Sequence, residues 1–409
     1  LHVALPGADL LVRRKPGVPI ATLGVYLPRL APDPASLAGL AALTVRASVR
    51  GAGGLAAPEL AYAFERLGGS LASAVTGDWW GFGSTVHADR LAEAAVLLRL
   101  VLREPHLAAD DIARERGLLV EEAQQAADDM FRYPFQLAFN AAFGDSGYGL
   151  PTLGLPETLA AIGPADVRRW HEENVSATRA VVVAVGDVDP ADTADRLAGV
   201  FGDLPPRAAA RARPPQAWIV DGVPATKVVA REKAQSALAM AFPGPSRRDR
   251  SRHAAEVWAA VASGLGGRLF EALRDRRSLA YTVLATSWQR GLGGALLTYI
   301  ATSPEREEEA REAMLRELGR FVEEPVTPAE LDQARNYLAG QAEVQRQSGG
   351  AVAGEILEAW LIGEGLEELA DPGAAYRRVS ADDVRAVAAE CLRIERRAEG
   401  VVRGTGGGK

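Results

Sequence analysis

The chain has 409 residues, 48% of them hydrophobic and 24% charged, close to the folded globular norm of about 45–50% and about 25%. Its net charge of −7 and single cysteine, Cys391, exclude an internal disulfide, a thiolate metal cluster and the basic footprint of a nucleic-acid binder. At about 150 residues per domain the length predicts two or three domains, and no apolar run reaches the roughly 18 residues of a membrane helix. The chain opens at Leu1 without a basic region and apolar leader. A leader can already have been removed, so the start decides nothing about export, and the chain reads as soluble, in cytoplasm or periplasm.

Taken in order, residues 10–12 and 20–27 read as strands around a Lys15-Pro16-Gly17 turn, and Asp33-Pro34 opens a helix that the glycine run at 51–54 ends. In the second half, 237–241 reads as a strand and 253–263 as a helix. Residues 280–287 and 295–302 form a hairpin across the glycines at 291–294. A long repeat connects the halves. Glu104-Pro105-His106-Leu107 and Glu324-Pro325-Val326-Thr327 each open a long helix, offset by 325 − 105 = 220. Gly163-Pro164-Ala165-Asp166-Val167 and Ser380-Ala381-Asp382-Asp383-Val384 each cap an amphipathic one, offset by 384 − 167 = 217.

Two features in one order at nearly one offset predict a duplicated unit. The stretch 205–217, PPRAAARARPPQA, is the linker, because proline ends regular elements and arginine stays solvated. The predicted organisation is an N-terminal domain 1–204, the linker 205–217 and a homologous domain 218–409. Hairpins beside segregated helices predict an α+β fold, each domain a mainly antiparallel sheet with helices packed on it. The runs 247–252 and Arg207, Arg211 and Arg213 lack interleaved aromatics and read as solvated loops.

The five histidines, His2, His87, His106, His171 and His253, include no pair four apart, so no helix aims two imidazoles at one ion. His171-Glu172-Glu173-Asn174-Val175 and His253-Ala254-Ala255-Glu256-Val257 begin like zinc motifs but end in valine, and read as ordinary helix-surface residues. Gly51-Ala52-Gly53-Gly54 fits a loose dinucleotide fingerprint, yet it follows a helix where that motif needs a strand. Gly264, Gly266 and Gly267 lack the Lys-Ser/Thr of a phosphate loop and read as a flexible connector.

More specific is the run Arg268-Leu269-Phe270-Glu271-Ala272-Leu273-Arg274-Asp275-Arg276-Arg277-Ser278-Leu279-Ala280-Tyr281-Thr282-Val283. It resembles the second-domain signature of the pitrilysin/insulinase zinc peptidases, in the branch of the mitochondrial processing peptidases. The resemblance extends over nearly the whole chain, through the opening hairpin, the Phe64-Glu65-Arg66-Leu67-Gly68-Gly69 turn, the 114–122 helix, Asn336-Tyr337-Leu338 and the 379–384 cap. It implies two homologous α+β domains.

Catalytic members carry H-x-x-E-H on the first long helix, two imidazoles holding zinc and a glutamate acting as base. The matching stretch here is Gly39-Leu40-Ala41-Ala42-Leu43-Thr44-Val45-Arg46, with Ala42 and Arg46 at the ligand positions and Val45 at the base position. The third ligand position of the family falls on Glu122, with Glu121 the neighbouring alternative. The resemblance therefore implies no zinc in this chain. Arg46 is expected to take the vacated place and pair with Glu122, the alternative being two independent surface charges.

The family's substrate-binding arginine and tyrosine, seven residues apart, match Arg274 and Tyr281. Guanidinium and phenol donors can bond peptide carbonyls and a developing oxyanion. The alternative is a helix-end ion pair of Arg274 with Asp275 or Glu271 and a half-buried strand tyrosine. Ser278 stands where many relatives have glycine. Loss of the zinc residues with retention of this pair implies a non-catalytic, substrate-binding subunit of a heterodimeric peptidase. Its partner is a paralogue carrying H-x-x-E-H and the zinc, with peptides bound in a shared chamber and the glycine-rich loop (Gly264, Gly266, Gly267) supplied by this chain. The alternatives are a structural scaffold like the core proteins of the cytochrome bc complex, or a stand-alone peptide-binding homodimer.

Overall fold

A computed structural model of the chain describes residues 1–209, 213–264, 266–280 and 282–406. Its strands are β1 (His2–Ala4), β2 (Ala8–Arg14), β3 (Ile20–Pro28), β4 (Gly51–Ala52), β5 (Leu55–Ala56), β6 (Ala72–Val75), β7 (Trp79–His87), β8 (Ala180–Gly186), β9 (Ala225–Arg231), β10 (Ser236–Gly244), β11 (Thr282–Arg290), β12 (Gly293–Thr302) and β13 (Ala398–Gly404). The helices are α1 (Leu40–Ser48), α2 (Ala57–Glu65), α3 (Leu91–Arg103), α4 (Ala109–Asp128), α5 (Arg132–Phe143), α6 (Pro156–Ala161), α7 (Pro164–Val175), α8 (Pro190–Phe201), α9 (Arg252–Ala262), α10 (Glu307–Glu323), α11 (Pro328–Gln345), α12 (Gly349–Leu361), α13 (Pro372–Arg378) and α14 (Ala381–Cys391). No helix of the described residues is long and apolar enough to cross a membrane.

The chain divides into two units that alternate along the sequence. Unit 1 is Leu1–Ala123, Pro151–Arg213 and Gln345–Leu369; unit 2 is Gln124–Leu150, Pro214–Val344 and Ala370–Lys409. The break at 213/214 falls inside the expected linker, whose residues 210–212 lie outside the described residues. Contiguous bounds of 1–204 and 218–409 do not capture the exchange of two segments. Residues 124–150 pack within unit 2 and residues 345–369 within unit 1.

Unit 1 holds a six-stranded sheet in the order β1-β2-β8-β3-β7-β6. All seven residues of β8, AVVVAVG, are buried, as a central strand covered on both faces requires. Its alternate side chains serve different cores. Val182 and Ala184 meet α1 and α3 residues such as Leu43 and Leu98, whereas Val181, Val183 and Val185 meet Val352, Ile356 and Leu357 of α12. The two opening strands are not a hairpin, contrary to the sequence reading. β8 lies between them, parallel to β2 and antiparallel to β3, because a strand buried on both faces must have its backbone N–H and C=O groups paired along both edges.

Unit 2 repeats the plan with a five-stranded sheet, β11-β12-β10-β13-β9. The predicted hairpin is β11–β12, paired from Thr282↔Ala301 to Arg290↔Gly293. One sheet face packs Leu238, Met240 and Phe242 against Trp258, Phe321 and Val384 of α9, α10 and α14. The other presents Ala239, Ala241 and Ala398 to Ala138 and Ala142 of α5. These small residues let α5 lie close: a Cβ added to Gly400 would stand 1.9 Å from the Pro134 carbonyl oxygen. The repeated helices α4 and α11, and α7 and α14, start 219 and 217 residues apart (328 − 109, 381 − 164), against the expected 220 and 217.

A charged network sits beside this second core. Glu399 of β13 is 2% exposed and accepts from Arg311 Nε at 3.0 Å and from Arg397 Nε. Glu307, 5% exposed, accepts from Arg403 at 2.7 and 3.0 Å and from Arg311 at 3.2 Å. Replacing Glu399 with alanine leaves two guanidinium groups without their shared acceptor. Glu399→Ala is expected to destabilise the chain by about 3–5 kcal/mol, read as a lower denaturation midpoint at unchanged slope. A loss below about 1 kcal/mol would show that water reaches the arginines.

Candidate functional site

The start of α1 is fixed by buried charge. The Asp33 carboxylate accepts the Gly39 and Ala41 N–H groups at 3.1 and 3.2 Å, satisfying donors that a helix start leaves open. Arg29 donates to the same carboxylate at 2.6 Å and to the Thr76 carbonyl at 3.2 Å. One guanidinium thus ties the helix start to the turn after β6. Along α1, Ala42 and Val45 are 0% and 1% exposed, packed in the apolar core. Thr44 and Ser48 donate their hydroxyls to the Leu40 and Thr44 carbonyls, so neither is left unsatisfied there.

Arg46, one turn beyond Ala42, reaches α4. It donates through both terminal nitrogens to Glu122, at 2.6 and 2.7 Å, in the bidentate geometry of a planar fork. This is the pair expected from the sequence. The Arg46 guanidinium holds the Glu122 carboxyl below its ordinary value, and Glu122 in turn raises Arg46. The residues do not fit zinc: Ala42 and Val45 offer no lone pair, and Arg46 brings a cation to the place of a dication.

A second pair, not expected from the sequence, extends the first. Arg50 donates through Nε to Glu115 at 2.6 Å, and Glu115 is 3% exposed. Glu115 and Glu122, seven apart, share one face of α4, whereas Arg50 lies two residues past the end of α1, where helix spacing gives no signal. Beside these pairs α1 packs against β6, the outer strand of the sheet, whose described neighbour is β7 alone.

The unit 2 signature begins at the glycines. Gly264 has φ of +98°, and a Cβ on Gly267 would meet the Ser263 carbonyl oxygen at 2.5 Å, so both positions favour glycine. Arg268 then grips α11, donating to Glu330 at 2.7 and 2.8 Å with its guanidinium 4.8 Å from the Phe321 ring. That ion pair and the Thr327 donors lower the Glu330 carboxyl to about 2. A π-helical turn, Phe270–Asp275, follows. Arg274 lies over the Phe270 ring at 4.5 Å, while Glu271 pairs with Arg276. Tyr281 lies outside the described residues, so the spacing of the Arg274 and Tyr281 side chains is not defined.

Three surface readings change. His171 is 7% exposed and its Nε2 lies 2.9 Å from the Leu102 carbonyl, a core contact that lowers its affinity for a proton chiefly through burial. Arg252 is 4% exposed and donates to the Arg247 carbonyl at 3.0 Å, so the 247–252 run is not wholly solvated. Glu256 of the His253–Val257 run is a cavity residue, not a helix-surface one.

Known proteins resemble this chain in sequence and in fold. The family described as Peptidase M16 inactive domain matches residues 161–338. A Streptomyces coelicolor protein named an uncharacterized zinc protease is 26% identical over 405 residues, spanning 96% of this chain and 87% of its own length. The beta subunit of the mitochondrial-processing peptidase of Blastocladiella emersonii is 25% identical over 205 residues, 49% of this chain and 43% of its own. Among solved structures, a peptidase M16 inactive domain from Pseudomonas fluorescens superposes with a TM-score of 0.87 at 20% identity, covering 99% of this chain and 98% of that one. A chain of complex III2 from Candida albicans gives 0.80 at 15% identity, covering 98% and 95%. Residues 161–338 thus match the Peptidase M16 inactive domain, and most of the chain is similar to proteins named zinc protease. The sequence carries no H-x-x-E-H motif.

Two outcomes are expected. Arg46→Ala should cost only about 0.5–1 kcal/mol, because both side chains are partly solvated. Glu122 is depressed in the folded state, so this contribution is present above about 4.5, its ordinary value, and is lost as pH falls through the lower folded one. A wild-type minus Arg46→Ala difference that grows on acidification would contradict the pairing. Ser278 has a positive φ of 50°. Ser278→Gly should therefore raise stability by about 0.5–1 kcal/mol in thermal unfolding, and a fall would mean that the serine side chain holds the turn.

Proposed function

We propose that this chain is the non-catalytic, peptide-binding subunit of a two-subunit zinc peptidase. The observation that carries the reading is the Arg46–Glu122 fork where active relatives hold their metal. Beside it lies the open edge of β6, where an extended peptide can add a strand and be read through its backbone. The matched mitochondrial-processing peptidase sequence is named as one subunit of an assembly, which supports a paired arrangement. The partner is a paralogue with an intact H-x-x-E-H, and it carries the zinc. Arg274, with Tyr281, bonds peptide carbonyls across the shared chamber.

A scaffold role is the second reading, supported by the likeness to a chain of complex III2. Such a role makes no demand on Arg274.

Purification of the chain alone and with its zinc-carrying paralogue tests the proposal. The lone chain should lack peptidase activity, and the pair should co-elute and cleave peptides. In the pair, Arg274→Ala should lower kcat/KM by about tenfold or more with zinc content unchanged. Peptidase activity in the lone chain overturns the reading, and full activity of the Arg274→Ala pair favours the scaffold.

A further inference from the structure

The duplicated plan is not filled equally in the two units. The order β2-β8-β3-β7-β6 of unit 1 corresponds to β9-β13-β10-β12-β11 of unit 2, with the first pair parallel in each. In unit 2 the sheet face turned away from α9 carries aromatic rings. Tyr299 of β12 packs against Phe131 and Phe135 at ring separations of 4.9 and 5.8 Å, and Trp288 of β11 lies 4.8 Å from Phe139. The matching face of unit 1 lacks this bulk over its outer strands. Gly81 and Gly83 of β7 stand opposite Ala74 and Ala72 of β6, and Gly83 stands opposite Gly24 of β3. The covering helix is thinned as well: at the repeat offset of 217, Phe131 and Tyr133 correspond to Ser348 and Gly350 at the start of α12.

The result is a groove of about 540 Å³ along β6, within the usual size range of ligand sites. Ala72, Ala74 and Gly83 form its floor, and Gly350 and Ala353 of α12 form one wall. Tyr26 closes the far side. Its ring lies flat on the sheet, so that a Cβ added to Gly24 or Gly81 would stand 2.4 or 2.5 Å from it, and it meets the Trp79 ring edge to face at 5.4 Å. Among the described residues no charged side chain lines the groove.

The outer edge of β6 is unpaired among the described residues, and α1 covers the other face of this strand. A strand added at that edge points alternate side chains to opposite faces of the sheet, one set towards α1 and the other over Ala72 and Ala74 into the groove. Neighbouring strands lie about 4.8 Å apart, so a side chain must be long to cross β6 and touch Gly83. A charged one loses hydration without finding a partner. A flat, neutral ring lies on the glycine and alanine floor and buries most of its area there.

We propose that this groove seats an aromatic side chain of a peptide strand paired with β6, bringing from outside the ring that unit 2 carries on its own chain. This site rests on the strand addition proposed above, and it fixes the class of residue the strand carries.

Blocked threonine–glutamine heptapeptides with phenylalanine, leucine, lysine or alanine at the centre, titrated calorimetrically into the full chain, test the groove. The phenylalanine peptide should bind at least about tenfold more tightly than the alanine and lysine peptides, and about threefold more tightly than the leucine peptide. Ala72→Trp, a substitution at an exposed position that supplies the missing ring, should abolish the phenylalanine preference and leave the affinity of the alanine peptide unchanged. Thermal unfolding shows that the variant is folded. Methylation of the three central backbone nitrogens of the phenylalanine peptide removes strand pairing and should abolish binding. Equal binding of the four peptides, or a phenylalanine preference retained by folded Ala72→Trp, overturns the groove and leaves strand addition at β6 standing. Unchanged binding of the methylated peptide, or binding by none of the peptides, overturns both.

Discussion

A guanidinium cannot coordinate a metal ion, and the position of Arg46 follows from that constraint. A zinc peptidase of this fold needs two imidazoles and a carboxylate to converge between its first helix and its long helix. Here the carboxylate remains and a cation of the protein's own occupies the converging position. The fork on Glu122 bridges α1 and α4 through charge, and Arg50, just past the end of α1, adds a second pair with Glu115 of α4. The cross-link that metal coordination supplies elsewhere is thus replaced by two ion pairs. The Asp33–Arg29 cap and the packing of α1 against β6 need no change.

The two units show how one plan tolerates opposite solutions at equivalent places. Each has a sheet covered by several helices on one face and by one helix on the other, and in each that single helix comes from the exchanged segment. Between the first and long helices, unit 1 carries charged pairs and unit 2 carries small side chains around an open cavity. The difference lies in side-chain volume and charge, with the backbone architecture common to both.

Much of this was legible in the sequence because duplication writes itself twice. The offsets of 220 and 217 return as 219 and 217 in the starts of α4 and α11 and of α7 and α14, and the Arg46–Glu122 pair followed from aligning one helix with a motif it has lost. The misses have a common physical cause. Sequence order suggested a hairpin from β2 to β3, but β8, distant in the chain and buried on both faces, needs its backbone groups paired along both edges and lies between them. Contiguous domains were expected, yet 124–150 belongs to unit 2 and 345–369 to unit 1, where α5 and α12 bury their apolar faces on the sheets. Glu256 and His171 looked like helix-surface residues, since their burial depends on neighbours more than a hundred residues away for Glu256 and 69 away for His171. Long-range contacts override local pattern in each case.

The metal itself is the most direct test of the central claim. The purified chain, dialysed against excess zinc and then against zinc-free buffer, is assayed for bound metal beside its Glu122→Ala variant. The account predicts no zinc above the level of the variant, because Arg46 already pairs with Glu122, the carboxylate left at the third ligand position. Stoichiometric zinc in the wild-type chain, lost in Glu122→Ala, would contradict it.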